Sequence, residues 1–324
     1  MKILTLTLVS AFFTSTLAAS PEERARDLLN KMTLEEKTHY LHGSGSGYVG
    51  NVAANDRLGI PALKLNDGPQ GFRDNDHLGT TTAFPCALSI AASFDEDAAS
   101  TWGVAMGQEF YQKGANVQLG PGMCVARVPR NGRNFEYLSG EDPYLGSRMV
   151  GPAIEGIQSQ GVVANAKHYV NNNQETDRTT DTAVLSERTE FEMYLPPFEA
   201  AVNANVGSIM CSYNKIAIEE FQQAPGYWSC ENNQTLNTYL REHLGFKGFV
   251  MSDWGATHSM SINQGLDQEM PGNDFMSDEN LQAAVKNGTV SEETIDQSVL
   301  RILTPLFQVG VFDNVGTMNS LFFF

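Results

Sequence analysis

The sequence predicts a single-domain α/β protein, a (β/α)8 TIM barrel. Three observations predict it. The chain has 324 residues, the size of one large barrel with insertions. Short β-rich runs alternate with helical patterns, which reads as βαβ units around a parallel sheet. The strongest runs end in polar residues, and in a parallel barrel such strand ends share one mouth.

In chain order the β-rich runs are Ala62–Leu65, Asn116–Leu119, Val162–Ala166, Gly207–Cys211, Gly248–Met251 and Leu266–Met270. Closure needs two more strands, and Ala83–Ser89 and Asn134–Leu138 are the candidates. Helical patterns cover Pro21–Leu41, Asp95–Gln112, Gly146–Gln158, Ser186–Ala204, Gln234–His243, Asp278–Lys286 and Glu292–Phe307. Pro196-Pro197 falls inside one of these and is expected to kink or split it. An open doubly wound sheet also binds ligands at strand ends. No Gly-rich dinucleotide fingerprint follows a strand here, so the barrel is favoured.

Charge narrows the class of ligand. Lys and Arg number 21 against 38 Asp and Glu, a formal charge of −17. No basic surface for nucleic acid follows from this composition, and an anionic membrane surface fits poorly. A neutral substrate is the natural partner. A hydrophobic share of 41% is enough for a full core.

Residues 1–19 read as a cleaved signal peptide. Lys2 supplies the positive start, an apolar run from Ile3 to Leu17 follows, and Ala18, Ala19 and Ser20 are small. No later stretch is long and apolar enough to span a bilayer. A secreted, extracellular protein is expected, with the barrel domain over 20–313 and an atypical tail over 314–324. Secretion permits disulfides. Cys211 and Cys230 flank a short loop and are the expected pair, whereas Cys86 and Cys124 either pair or stay free. Asn233-Gln-Thr and Asn287-Gly-Thr are N-glycosylation sequons.

The run ends carry the candidate chemistry. Phe249-Val-Met-Ser-Asp-Trp-Gly places Asp253 at the end of an apolar strand, with Trp254 beside it offering a flat face for a sugar ring. Capping of a helix at Gly255–His258 is the competing role for Asp253. Lys167-His168 closes another run. Both can donate to hydroxyls, although a rim salt bridge or a Schiff-base lysine would use the same residues. Asp67, in Asn66-Asp-Gly-Pro, can accept from two sugar hydroxyls or simply make a turn. Arg133 offers a fixed fork. Glu136 and Glu141 are general acids by type, but no spacing selects either.

Other chemistries are disfavoured. The six histidines show no His-Glu-x-x-His pattern and the cysteines lack zinc spacing, so no metal site is expected. No P-loop or Gly-x-Ser-x-Gly occurs, and no cofactor is implied.

Five segments together resemble glycoside hydrolase family 3, the β-glucosidase family. They are Leu65-Asn-Asp-Gly-Pro-Gln-Gly, Gly132-Arg-Asn-Phe-Glu-Tyr-Leu-Ser-Gly-Glu-Asp-Pro, Lys167-His-Tyr-Val-Asn-Asn-Asn-Gln-Glu, Met210-Cys-Ser-Tyr-Asn and Ser252-Asp-Trp-Gly-Ala-Thr-His-Ser. The likeness runs from about Pro21 to Asp313. It implies that Asp253 is the nucleophile of a retaining mechanism on β-glucosides or oligosaccharides. It further implies that Asp67, Arg133, Lys167 and His168 grip the glucose hydroxyls. Trp254 and Met210 would wall the pocket, and Tyr213 would stand beside the nucleophile. Two-domain members take their general acid/base, a Glu, from a domain beyond the barrel. Single-domain relatives use an Asp-x-His pair after the Lys-His strand, where this chain reads Asn171-Asn-Asn-Gln-Glu-Thr-Asp-Arg. The final stretch, Val315 to Phe324, does not resemble the family's linker. The expectation is therefore a barrel with its nucleophile but impaired turnover. Aryl glucosides with acidic leaving groups should be favoured over natural β-glucosides, and a weak or inactive sugar-binding remnant is the alternative.

Overall fold

Two capping boxes begin the described chain. Ser20 Oγ accepts the Glu23 N–H while the Glu23 carboxylate accepts the Ser20 N–H, and Pro21 presets the first turn. Thr33 and Glu36 repeat the device. The expected single helix over Pro21–Leu41 is thus two: α1 (Pro21–Leu29) and α2 (Leu34–His39), because Thr33 is extended and restarts the helix. The structure is a computed structural model and describes residues 19–223 and 225–313. Residues 1–18 of the expected leader and the 314–324 tail lie outside the described residues.

The elements continue as β1 (Gly50–Val52), β2 (Leu63–Asn66), α3 (Ala87–Ala91), α4 (Glu96–Gln112), β3 (Val117–Gln118), α5 (Pro143–Gln158), β4 (Val163–Tyr169) and β5 (Thr182–Leu185). Next, α6 (Glu187–Thr189) runs into a π-helix, Glu190–Tyr194, before α7 (Pro196–Asn203). The prolines split this region as their missing N–H requires. Then come β6 (Ser208–Cys211), β7 (Lys215–Ile218), β8 (Tyr227–Trp228), a π-helix at Gln234–His243, β9 (Phe249–Ser252), α8 (Asp278–Lys286) and α9 (Glu292–Gln308).

Strands β2, β3, β4, β6 and β9 pair in parallel, and β1 adds antiparallel to β2. Two irregular segments complete the ring. Gln268 bridges Met251, and Glu269 bridges His42. Ser44 then donates its N–H to Asn51 O at 2.7 Å, which returns the ring to β1. The closing segments are therefore 41–44 and β1. They are not Ala83–Ser89, which holds the extended Cys86 and then α3, nor Asn134–Leu138, which is mostly a 3-10 turn. The expected strand Leu266–Met270 joins by isolated bridges. Asp267 and Gln268 both donate to Val250 O, at 2.9 and 3.1 Å, so two residues oppose one and no regular ladder forms.

Burial explains why the strands read as apolar runs. All seven residues of β4 are buried, as expected for a parallel strand covered on both faces. On the outer layer α4 and α5 approach closely. A methyl group at Gly156 would meet Ser100 O at 2.6 Å, so glycine is required there. A small second sheet, β5–β7–β8, is built from chain that follows β4 and β6. A disulfide joins Cys211 at the end of β6 to Cys230 just past β8, with Cα atoms 5.2 Å apart. Cys86 and Cys124 are free, and Cys124 is buried. Asn233 and Asn287 are both exposed.

Candidate active site

Four strands deliver the candidate side chains to one mouth. Asp67 follows β2, Lys167 and His168 lie in β4, Met210 lies in β6, and Asp253 follows β9. These strands are almost wholly buried, with only Lys64 of β2 partly exposed, so each side chain is presented from rigid backbone. Arg133 arrives from the loop before α5 and Tyr213 from the loop after β6.

The centre is a short chain of contacts. His168 Nδ1 lies 3.1 Å from Tyr137 Oη, and its Nε2 lies 3.2 Å from Arg133 Nη2. An arginine only donates, so Nε2 accepts and the ring hydrogen sits on Nδ1, bonded to Tyr137. Burial, reinforced by Arg133, Lys167 and Arg178, holds His168 well below its ordinary pKa, so the ring is neutral. Asp253 Oδ2 is 3.5 Å from His168 Nε2, but that nitrogen has no proton to offer.

Asp253 is consequently held on one side. Its Oδ1 accepts the Trp254 N–H at 2.8 Å, while Oδ2 is buried without a hydrogen-bond partner. Burial raises its pKa above the ordinary aspartate value. Lys167, the Trp254 N–H, Arg133 and Tyr213 oppose that rise. The competing helix-cap role is absent, because Gly255–His258 forms no helix and Oδ1 accepts the N–H of Trp254 instead.

The flanks are cationic and aromatic. Lys167 Nζ stands 3.9 Å from Asp67 Oδ1, and Arg73 Nη1 stands 3.3 Å from Asp67 Oδ2. Arg133 pairs with Glu136 and, at 3.7 Å, with Glu175, which Arg178 also holds at 2.8 Å. The Arg178 guanidinium lies 4.5 Å over the Tyr213 ring, and Tyr213 Oη donates to Trp254 O at 3.0 Å. Trp254 is pinned by its indole N–H to Val49 O at 3.2 Å, with its ring against Gly50. A cleft of about 450 Å³ opens between Asp67, Gln70, Arg73, Arg133, Glu136 and Lys167. Asp253 is not part of this lining, and Lys167 and Arg133, which are, act electrostatically on its carboxylate.

Asp67, Arg133, Glu136, Lys167, His168, Tyr213, Asp253 and Trp254 lie in this region, and Met210 stands in register beside Lys167. Glu141 does not join them: it is exposed and shares no ion pair or hydrogen bond with the group. Arg73, Tyr137, Glu175 and Arg178 were not singled out, yet they orient Asp67, His168, Arg133 and Tyr213. Arg73 follows the Asp67 motif by six residues, and Tyr137 follows Glu136 directly. Their signal was position in the motif runs, not any distinctive spacing.

Comparisons with known proteins show the family. Residues 44–305 match the family model "Glycosyl hydrolase family 3 N terminal domain". A probable beta-glucosidase L from Aspergillus terreus is 42% identical over 294 residues, which is 87% of this chain and 38% of that protein. A beta-glucosidase from Rhizobium radiobacter is 44% identical over 293 residues, covering 89% and 34%. Among solved structures, the beta-glucosidase DesR from Streptomyces venezuelae in complex with D-glucose superposes with TM-score 0.83 at 38% identity, over 89% of this chain and 38% of that one. Beta-glucosidase 3B from Thermotoga neapolitana in complex with glucose gives 0.84 at 36%, over 93% and 45%. The chain thus spans about 38% of the length of the first of these curated relatives.

Proposed function

Since the chain belongs to glycosyl hydrolase family 3, we propose that it acts on terminal non-reducing β-D-glucosyl residues by a retaining mechanism, with Asp253 as nucleophile. One observation carries this reading: the buried Asp253 keeps one carboxylate oxygen, Oδ2, without a hydrogen-bond partner, with His168 Nε2 standing 3.5 Å away. A nucleophile needs a free oxygen, a fixed orientation and a negative charge. The Trp254 N–H fixes the carboxylate, and Lys167 and Arg133 favour its ionised form. In the first half-reaction Oδ2 would bond to the anomeric carbon while the aglycone oxygen leaves with the C–O electron pair. Water would then release the sugar with the same anomeric configuration.

Asp67, Arg133, Lys167 and His168 would hold the glucose hydroxyls, Trp254 and Met210 would wall the ring, and Tyr213 would steady the loop beside Asp253. Proton donation to the aglycone is the weak point of the described mouth. Asp67, Glu136 and Glu175 are each held by an arginine or lysine. That setting suits a hydroxyl acceptor, whereas a general acid needs surroundings that keep its proton on. Among the described residues around Asp253 no carboxyl group is placed as a donor. Turnover by this chain alone is therefore proposed to depend on leaving groups that need little protonation.

We further propose that the protein is secreted, with residues 1–19 as a signal peptide, 20–313 as the barrel domain, and Asn233 and Asn287 as glycan acceptors. Proton NMR of the first sugar released from an aryl β-glucoside tests the mechanism. β-Glucose appearing before α-glucose supports retention, and α-glucose first rejects it. Among the rival readings, a Schiff-base role for Lys167 is disfavoured by its carboxylate partner, since a nucleophilic amine is activated by a cationic or apolar neighbour.

A further inference from the structure

Away from the mouth, the fold gathers a second group of chemistry-bearing side chains. His39 ends α2, His42 lies in barrel segment 41–44, and Asp278 opens α8. Their ligand atoms lie within 4.8 Å of one another. His39 Nδ1 is 3.2 Å from Asp278 Oδ2, and His42 Nε2 is 3.3 Å from Asp278 Oδ1. His39 and Asp278 are 239 residues apart in the chain, which is why no sequence spacing announced the cluster.

His42 makes the cluster more than a surface ion pair. Its side chain is 3% exposed, and Nδ1 lies 2.9 Å from Gly43 O. A carbonyl only accepts, so Nδ1 carries a hydrogen and Nε2 is the ring's remaining ligand atom. That nitrogen has no hydrogen-bond partner, yet it faces a carboxylate oxygen. A metal ion seated between Nε2 and the carboxylate would give both a partner without requiring alignment along an N–H vector. Ligands 2.0–2.1 Å from a tetrahedral zinc stand roughly 3.3 Å apart, and each imidazole stands at about that distance from one oxygen of the Asp278 carboxylate, with the whole set within 4.8 Å.

The outer contacts also suit a metal. The Gly43 carbonyl stands behind His42, Ser44 Oγ lies 3.1 Å from His39 Nε2, and the Thr38 hydroxyl donates to Asp278 Oδ1 at 2.8 Å. The His39 and Asp278 side chains are 35% and 36% exposed, which leaves an entry path and room for a water. Imidazole with carboxylate favours zinc-like ions over magnesium or calcium. We infer that His39 Nδ1, His42 Nε2 and the Asp278 carboxylate bind one zinc-class divalent cation, with water as a further ligand. The ion clamps α2 and α8 to the first barrel segment.

The test uses the full chain, stripped with EDTA and dialysed. Calorimetric titration with ZnCl2 should show one equivalent bound. Co2+ should give the intense visible spectrum of a four-coordinate site, and the unfolding temperature should rise with Zn2+ but not with Mg2+. His42→Ala, His39→Ala and Asp278→Asn should each weaken Zn2+ by more than about tenfold, while His77→Ala should not. The last two ligand substitutions fall on half-exposed side chains, so they report even if His42→Ala fails to fold. No stoichiometric Zn2+, or an affinity unchanged in both His39→Ala and Asp278→Asn, overturns the site. These readouts do not use glucosidase activity and stand apart from it.

Discussion

His168 Nε2 sits 3.5 Å from Asp253 Oδ2 and does not donate to it, because Arg133 occupies that nitrogen from the other side. The histidine is neutral and the carboxylate keeps one oxygen free. Charge compensation for Asp253 therefore falls to Lys167 and Arg133, with Lys167 the larger. Removing Lys167 should expose that division. In Lys167→Met the acid limb of kcat/KM on an aryl glucoside is expected to move to higher pH, since burial then raises Asp253 with less opposition. An unmoved acid limb would show that Lys167 does not act on the nucleophile.

Asp253→Asn should separate activity from stability. A carboxyl whose folded pKa is raised contributes stability below its unfolded value of about 3.9 and loses it as pH rises through the folded value. At neutral pH the ionised Asp253 is thus a cost to the fold. The asparagine variant should melt higher than the parent at pH 7, with the difference shrinking as pH falls. Turnover should drop on the order of 10⁴-fold or more. Thermal unfolding followed across pH, with assays on the same samples, checks both.

Trp254 depends on a missing side chain. A methyl group at Gly50 would lie 2.8 Å from Trp254 Cζ2 and 3.3 Å from Cη2. Gly50→Ala is expected to push the indole aside and raise KM for glucosides by roughly 10- to 100-fold, with little change in the unfolding temperature. The two measurements together distinguish a displaced wall from a damaged fold.

The disulfide encloses the loop that carries Tyr213. With a sequence separation of 19, its loss should cost about 2–4 kcal/mol. Cys230→Ser, compared with the parent in urea with and without reductant, should show that loss, and reductant should then have no further effect on the variant.

The outer layer offers a control remote from the chemistry. Gly156→Ala forces a methyl group against Ser100 O between α4 and α5. It should destabilise the chain by about 1–3 kcal/mol in urea denaturation while leaving KM unchanged under native conditions.

The barrel's parallel strands were legible because burial on both faces makes them continuous apolar runs, as in β4 and β9. The closing segments were not. His42 and Ser44 join the ring through single bonds inside a Gly/Ser-rich stretch, so 41–44 shows no strand period, whereas Leu266–Met270 reads as a strand although Asp267 and Gln268 join through a bulge. Asp67, His168 and Asp253 stood out as polar residues ending apolar runs. Arg73 and Arg178 could not, because their value lies in which side chain the folded loop brings beside them. The same limit hid His39, His42 and Asp278, which only tertiary packing makes neighbours.

Trapping the glycosyl-enzyme tests the central claim most directly. The chain is incubated with 2,4-dinitrophenyl 2-deoxy-2-fluoro-β-glucoside, digested, and its peptides are sequenced by mass spectrometry. The expected result is one fluoroglucosyl group on Asp253, absent from Asp253→Asn. A label on Glu136 or another carboxylate, or no label while the reagent's phenolate is released, would contradict Asp253 as the nucleophile.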